Sequence, residues 1–112
     1  MPRRLNADFE RLVIEQRAFL EPHPTVTEVA RRLRTNKTYI SRLVNEVYGM
    51  SFSDLVHSLR ARYARQYQAE HPGARQEEVA AACGYASVYS FSRCFKKATG
   101  LTPREAMMRN AL

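Results

Sequence analysis

One hundred and twelve residues suffice for one compact domain, or for two very small ones sharing an interface. A hydrophobic fraction of 45% argues against general disorder. No apolar run approaches the roughly 18 residues of a membrane span, and the N-terminus lacks a signal-peptide apolar core. Eighteen Lys and Arg against 11 Asp and Glu give a net charge of +7 and a pI near 9.9, the electrostatic footprint of a polyanion partner. Arginine dominates over lysine, which suits forked contacts to phosphate or guanine.

Strand signals are nearly absent, and apolar residues recur at spacings of three and four, so the fold class is all-α with seven helices. Residues 7–20 carry Phe9, Leu12, Val13, Ile14 and Phe19 between charged positions and predict one amphipathic helix, closed by "EPHP". Thr25 or Thr27 caps a second helix, with Glu28 three residues after Thr25 as in a capping box, and Val26, Val29, Ala30 and Leu33 form its apolar face. "RTN" breaks the pattern, Asn36 caps a third helix reaching Tyr48, and Gly49 ends it.

Ser51 or Ser53 then restarts a long helix to about Gln68, with Phe52, Leu55, Val56, Leu59, Tyr63 and Tyr67 on one face. "EHPGAR" is the clearest break in the chain. A short fifth helix holds Glu77, Glu78, Val79, Ala80 and Cys83, and Gly84 makes a turn. Ser87 caps a sixth helix that stops at Gly100, and Thr102 with Pro103 opens a seventh. The chain therefore divides into an N-terminal helix and lead-in (1–24), a first helix–turn–helix (25–51), a linker helix (52–70), and a second helix–turn–helix with a C-terminal helix (71–112), together one compact domain.

The sequence repeats itself. Glu28-Val29-Ala30 lies on Glu78-Val79-Ala80 at an offset of fifty, while Ser41-Arg42 lies on Ser92-Arg93 and Gly49 on Gly100 at fifty-one. The one-residue difference falls in the turn between helices, where an insertion is well tolerated. Each copy is a short helix, a tight turn and a longer helix. At 100° per residue, Ile40, Leu43, Val44 and Val47 point inward in the first long helix, and Phe91, Cys94, Phe95 and Ala98 in the second.

The opposite faces hold Thr38, Ser41, Arg42 and Asn45 in the first copy, and Tyr89, Ser92 and Arg93 in the second. These are candidate base-reading residues: Arg forks to guanine, Asn suits adenine and Ser suits either. Lys37, Ser87, Lys96 and Lys97 are candidate phosphate contacts, which position a protein without reading sequence. With both lysines in the second copy, the second unit is expected to grip the backbone more firmly. The linker spans roughly 25 Å of helix, so two readers about 34 Å apart, one turn of duplex, are expected.

Cys83 and Cys94 are not a CxxC pair, and His23, His57 and His71 have no zinc-finger spacing to them. Both thiols fall on apolar faces, so the expectation is reduced, buried cysteines, with no catalytic residue, no metal and no cofactor. His57 is read as a surface or helix-interface residue, Tyr85 as core and Tyr89 as exposed. A helical protein–protein interaction module is the competing reading; it explains amphipathic helices but not two Arg-centred polar faces at matched positions.

"GYASVYSFSRCFKKATGLTP" (84–103), "TEVARRL", "TYISRLVNEVYGMSFSDLV" and "LRARYARQY" resemble the C-terminal DNA-binding domain of AraC/XylS-type bacterial transcription regulators. The resemblance covers about Val26 to Pro103. It implies two recognition helices, about 37–48 and 87–99, in successive major grooves of promoter DNA. It further implies a cytoplasmic, nucleoid-associated activator or repressor, with RNA polymerase and a separate sensor or dimerisation domain as additional partners. A domain of that kind has no room in 112 residues, so the chain is either a stand-alone regulator or one piece of a longer one. Arg34 stands where the family commonly has Gly, Tyr67-Gln68 replaces a usual Leu-Leu, and Ala106-Met107 replaces a usual Tyr-Arg.

Overall fold

The structure is a computed structural model that describes residues 3–110. Their regular structure is all helical, with no strand among the described residues. They form two compact units divided between Val56 and His57.

In the first unit, α1 (Arg3–Phe9) runs on as a π-helical turn over Glu10–Glu15. The widened turn is marked by the Gln16 N–H donating to the Arg11 carbonyl at 2.8 Å. The single helix expected over 7–20 therefore starts earlier and is broken. Arg17 takes a left-handed conformation (φ 60°), and a 3-10 turn follows over Ala18–Leu20. The break lets Ala18 and Phe19 join the core that Phe9, Leu12 and Val13 already occupy.

Thr25 caps α2 (Val26–Arg32), its Oγ1 accepting from the Glu28 N–H at 3.1 Å. The capping box stays half made, because the Glu28 carboxylate turns to the Arg31 guanidinium at 2.6 Å. That bond holds the Glu28 carboxyl below its ordinary range. Asn36 caps α3 (Lys37–Tyr48) by accepting from the Tyr39 N–H at 3.0 Å, and Gly49 (φ 72°) closes it. Phe9 sits against Tyr48 and Phe52, with ring centres 5.9 and 6.4 Å away.

Helix α4 (Phe52–Glu70) is capped by Ser51, whose Oγ accepts from the Asp54 N–H at 3.1 Å. Its first turns bury Phe52, Leu55 and Val56 in the first unit, as read from the sequence. In the second unit its buried face differs from the expected one. Arg60, Ala61, Ala64 and Gln68 are buried, while Leu59, Tyr63 and Tyr67 are only half-buried. The small alanines admit the Phe91 and Phe95 rings to the core, and Tyr63 and Tyr67 pack against its edge. The Tyr67 hydroxyl donates to Glu78, and the Gln68 amide donates to the Pro103 carbonyl at 3.4 Å. These bonds stand where the usual Leu-Leu pair would pack.

The remaining helices are α5 (Gln76–Ala82), α6 (Val88–Thr99) and α7 (Pro103–Asn110). Phe91 and Phe95 are 1% exposed and meet edge to face at 5.8 Å. Truncating either to Ala costs about 3–5 kcal/mol. Thr102 and Glu105 make a complete capping box ahead of α7: Thr102 Oγ1 accepts from the Glu105 N–H at 3.1 Å, and the Glu105 carboxylate accepts from the Thr102 N–H at 3.0 Å.

Candidate nucleic-acid interface

The two helix–turn–helix units share the hydrogen bond that closes the turn. In the first, the Thr35 N–H donates to the Ala30 carbonyl at 2.9 Å; in the second, Tyr85 N–H donates to Ala80 at 3.0 Å. The residue before each donor is left-handed, Arg34 at φ 56° and Gly84 at φ 86°. Up to this point the offset is fifty. The caps, Asn36 and Ser87, stand fifty-one apart. The inserted residue is thus Ala86, lying after the turn and before the cap. Both long helices are 12 residues, and both end on a left-handed glycine.

Because α3 and α6 start and stop alike, most equivalent positions take the same exposure, with Ser41/Ser92 and Leu43/Cys94 among the exceptions. Ile40, Leu43 and Val44 are buried, as are Phe91 and Phe95. Val47, expected inward, is 52% exposed, and its counterpart Ala98 is exposed too. Val47 and Ala98 thus stand on the outer side of the last turn of each helix, although Tyr48 in the same turn of α3 still packs on Phe9. Cys94 is half-buried rather than buried.

Thr38, Ser41, Arg42 and Asn45 are all exposed on α3, together with Lys37. The Asn45 amide donates back to the Ser41 carbonyl at 3.2 Å, which fixes its orientation along the helix. On α6, Tyr89 is 70% exposed, Arg93, Lys96 and Lys97 are exposed, and Ser92 is half-buried. The Arg93 guanidinium lies over the Tyr89 ring, 5.5 Å from its centre. The Ser87 hydroxyl is occupied as a cap, accepting from the Ser90 N–H at 3.1 Å and donating to its hydroxyl at 3.2 Å.

Behind the α6 face lies a polar chain that sequence order hides. Cys94 Sγ is 3.9 Å from His57 Nε2, His57 Nδ1 is 2.7 Å from the Tyr85 hydroxyl, and the buried Arg60 guanidinium covers the Tyr85 ring at 4.7 Å. His57 and Cys94 are 37 residues apart, so no spacing rule would join them. Burial pushes the Tyr85 hydroxyl well above its ordinary range and the Cys83 thiol up to about 12. Among the described residues, no three His, Cys, Asp or Glu side chains are grouped to hold a metal ion. No helix of the described residues is long and apolar enough to cross a membrane.

Residues 29–109 match a family model described as a helix-turn-helix domain, of the AraC type. The chain belongs to the AraC-type helix-turn-helix family. Such domains are the DNA-binding parts of transcriptional regulators. The chain is 37% identical over 83 residues to an uncharacterized HTH-type transcriptional regulator, YtdP, of Bacillus subtilis, an alignment covering 74% of this chain and 11% of that protein. The AraC-type fold is equally clear in solved structures. The C-terminal domain of AraT, a response regulator from Geobacillus stearothermophilus, superposes with a TM-score of 0.84 at 26% identity, covering 94% of this chain and 84% of the other. A DNA-binding transcriptional dual regulator from Escherichia coli K-12 gives a TM-score of 0.76 at 25% identity, over 99% and 95% of the two chains.

Proposed function

We propose that this AraC-type chain binds double-stranded promoter DNA sequence-specifically and regulates transcription, with α3 and α6 entering successive major grooves. The single observation that carries this reading is the matched presentation of Arg42 and Arg93 on equally capped, equally long helices fifty-one residues apart. Each Arg is exposed at the middle of a polar face, where its fork suits the O6 and N7 of guanine. Thr38, Ser41 and Asn45 read beside Arg42, and Tyr89 and Ser92 beside Arg93. Lys37, Lys96, Lys97 and the N-terminal turn at Ser87 meet phosphates.

The units act as one DNA-binding domain, non-enzymatic and without cofactor, in the bacterial cytoplasm on the nucleoid. RNA polymerase and a sensor or dimerisation domain complete the regulatory assembly. Selection of bound duplexes from a random pool, followed by footprinting, tests the reading. The expected result is two protected base clusters about 10–10.5 bp apart. Binding that shows no preferred sequence, or a single cluster, overturns it.

A further inference from the structure

We infer that Arg4 of α1 and Arg34 of the first turn form a phosphate clamp beside the first recognition helix, so that the N-terminal helix is part of the DNA interface. The inference rests on the DNA-binding reading above and extends it to residues outside both recognition helices. An open groove of about 680 Å³ runs between α1 and the flank of α3, bordered by Arg4, Asp8, Arg34, Tyr39, Arg42 and Glu46. It therefore joins directly onto the reading position Arg42.

Two independent observations point to a polyanion on this groove. The first is which cations are already engaged. Arg11, Arg31 and Arg32 are paired with Asp8, Glu28 and Glu21. Among the described residues, Arg4, Arg34 and Arg42 carry no ion pair and no side-chain hydrogen bond. Of the two acids at the rim, Asp8 faces Arg11 at 3.7 Å, which leaves Glu46 as the opposing charge. The second observation is the backbone at Arg34. Its φ of 56° is one that L side chains occupy at a cost, and the equivalent residue of the second unit is Gly84. A strained Arg held where Gly would fit without strain is the pattern of a side chain kept for what it touches.

The clamp also balances the two units. Lys96 and Lys97 of α6 correspond to Asn45 and Glu46 of α3, so the first helix has no lysine pair of its own. Arg4 and Arg34 supply that backbone grip from neighbouring elements.

The test is fluorescence anisotropy of the full chain with a selected duplex and a scrambled one, across a salt series, for the wild type, Arg4→Ala and Arg34→Gly. Each variant is expected to lose affinity for both duplexes by the same factor, and to flatten the salt slope by about 0.9 per contact removed. Arg34→Gly is expected to do so while raising the melting temperature, which separates a lost contact from a damaged fold. Unchanged affinity and slope in both variants, with the wild type binding normally, overturns the clamp and leaves the two recognition helices standing. A loss confined to the selected duplex also overturns it, because the residues would then read bases. A wild type that binds neither duplex overturns the DNA-binding reading itself, and the clamp with it.

Discussion

The guanidinium of Arg93 rests 5.5 Å above the ring of Tyr89, one helical turn earlier on α6. The corresponding pair on α3 is Thr38 and Arg42, where no aromatic ring is present. Exposed cation–π contacts contribute about 0.5–1 kcal/mol. Tyr89→Ala should therefore weaken binding to a selected duplex by about 2–5-fold through a freer Arg93, and Tyr89→Phe should keep most of the affinity. A Phe variant as weak as the Ala variant would show that the hydroxyl itself touches DNA.

On the proposed reading, removing Arg42 or Arg93 should cost about 1–3 kcal/mol each and relax the choice of base at one position. Arg42→Ala and Arg93→Ala should affect sites about one helical turn apart, resolved by footprinting the two variants on one duplex. Overlapping losses would mean that both helices address the same bases.

Lys97→Ala should lower affinity for every sequence alike and reduce the salt slope by about 1. A sequence-dependent change would move Lys97 from the backbone to the bases.

Gly100 closes α6 at φ 82°, with open space where a Cβ would stand. The cost of Gly100→Ala is then backbone strain alone, about 1–2 kcal/mol. At roughly 4–8 °C per kcal/mol for a domain of this size, a thermal melt reads it directly. Gly49→Ala, in the same setting at φ 72°, should lose a similar amount.

The Glu105 carboxyl is held below its ordinary range, chiefly by the backbone N–H bond of Thr102 and then by the Thr102 side chain. A carboxyl lowered in the folded state contributes stability that is present above its unfolded value and is lost as pH falls through the folded one. Melting temperature should thus drop on acidification, and Glu105→Gln should start lower at neutral pH and fall less. Identical pH profiles for the two proteins would remove Glu105 from the account.

Much of this was legible in the residues. Caps at Thr25, Asn36, Ser87 and Thr102 and stops at Gly49 and Gly100 are local chemistry, and local chemistry is written in sequence order. The turn, the repeat and the exposed arginines followed from the same signals. What did not follow were features decided by tertiary packing. Periodicity gave α4 a stripe of large side chains, whereas burial selected Ala61 and Ala64 because small residues admit Phe91 and Phe95. The break at Arg17 has no Gly or Pro to announce it. The Cys94–His57–Tyr85 chain joins residues far apart in sequence. The groove at Arg4 was invisible for the same reason: α1 looks like a lead-in until the fold sets it beside α3.

The position of Ala86 carries a design consequence. An extra residue inside α6 would have turned every later side chain by about 100°; placed ahead of the cap, it leaves the exposed polar face untouched. Each recognition helix is thereby indexed from its own cap rather than from the turn before it. The stretch from Asn36 to Gly49 and the stretch from Ser87 to Gly100 are cassettes of equal length, alike in cap and stop but packed on differently sized core residues. A chimera carrying the same cassette twice would ask whether sequence preference travels with the helix alone.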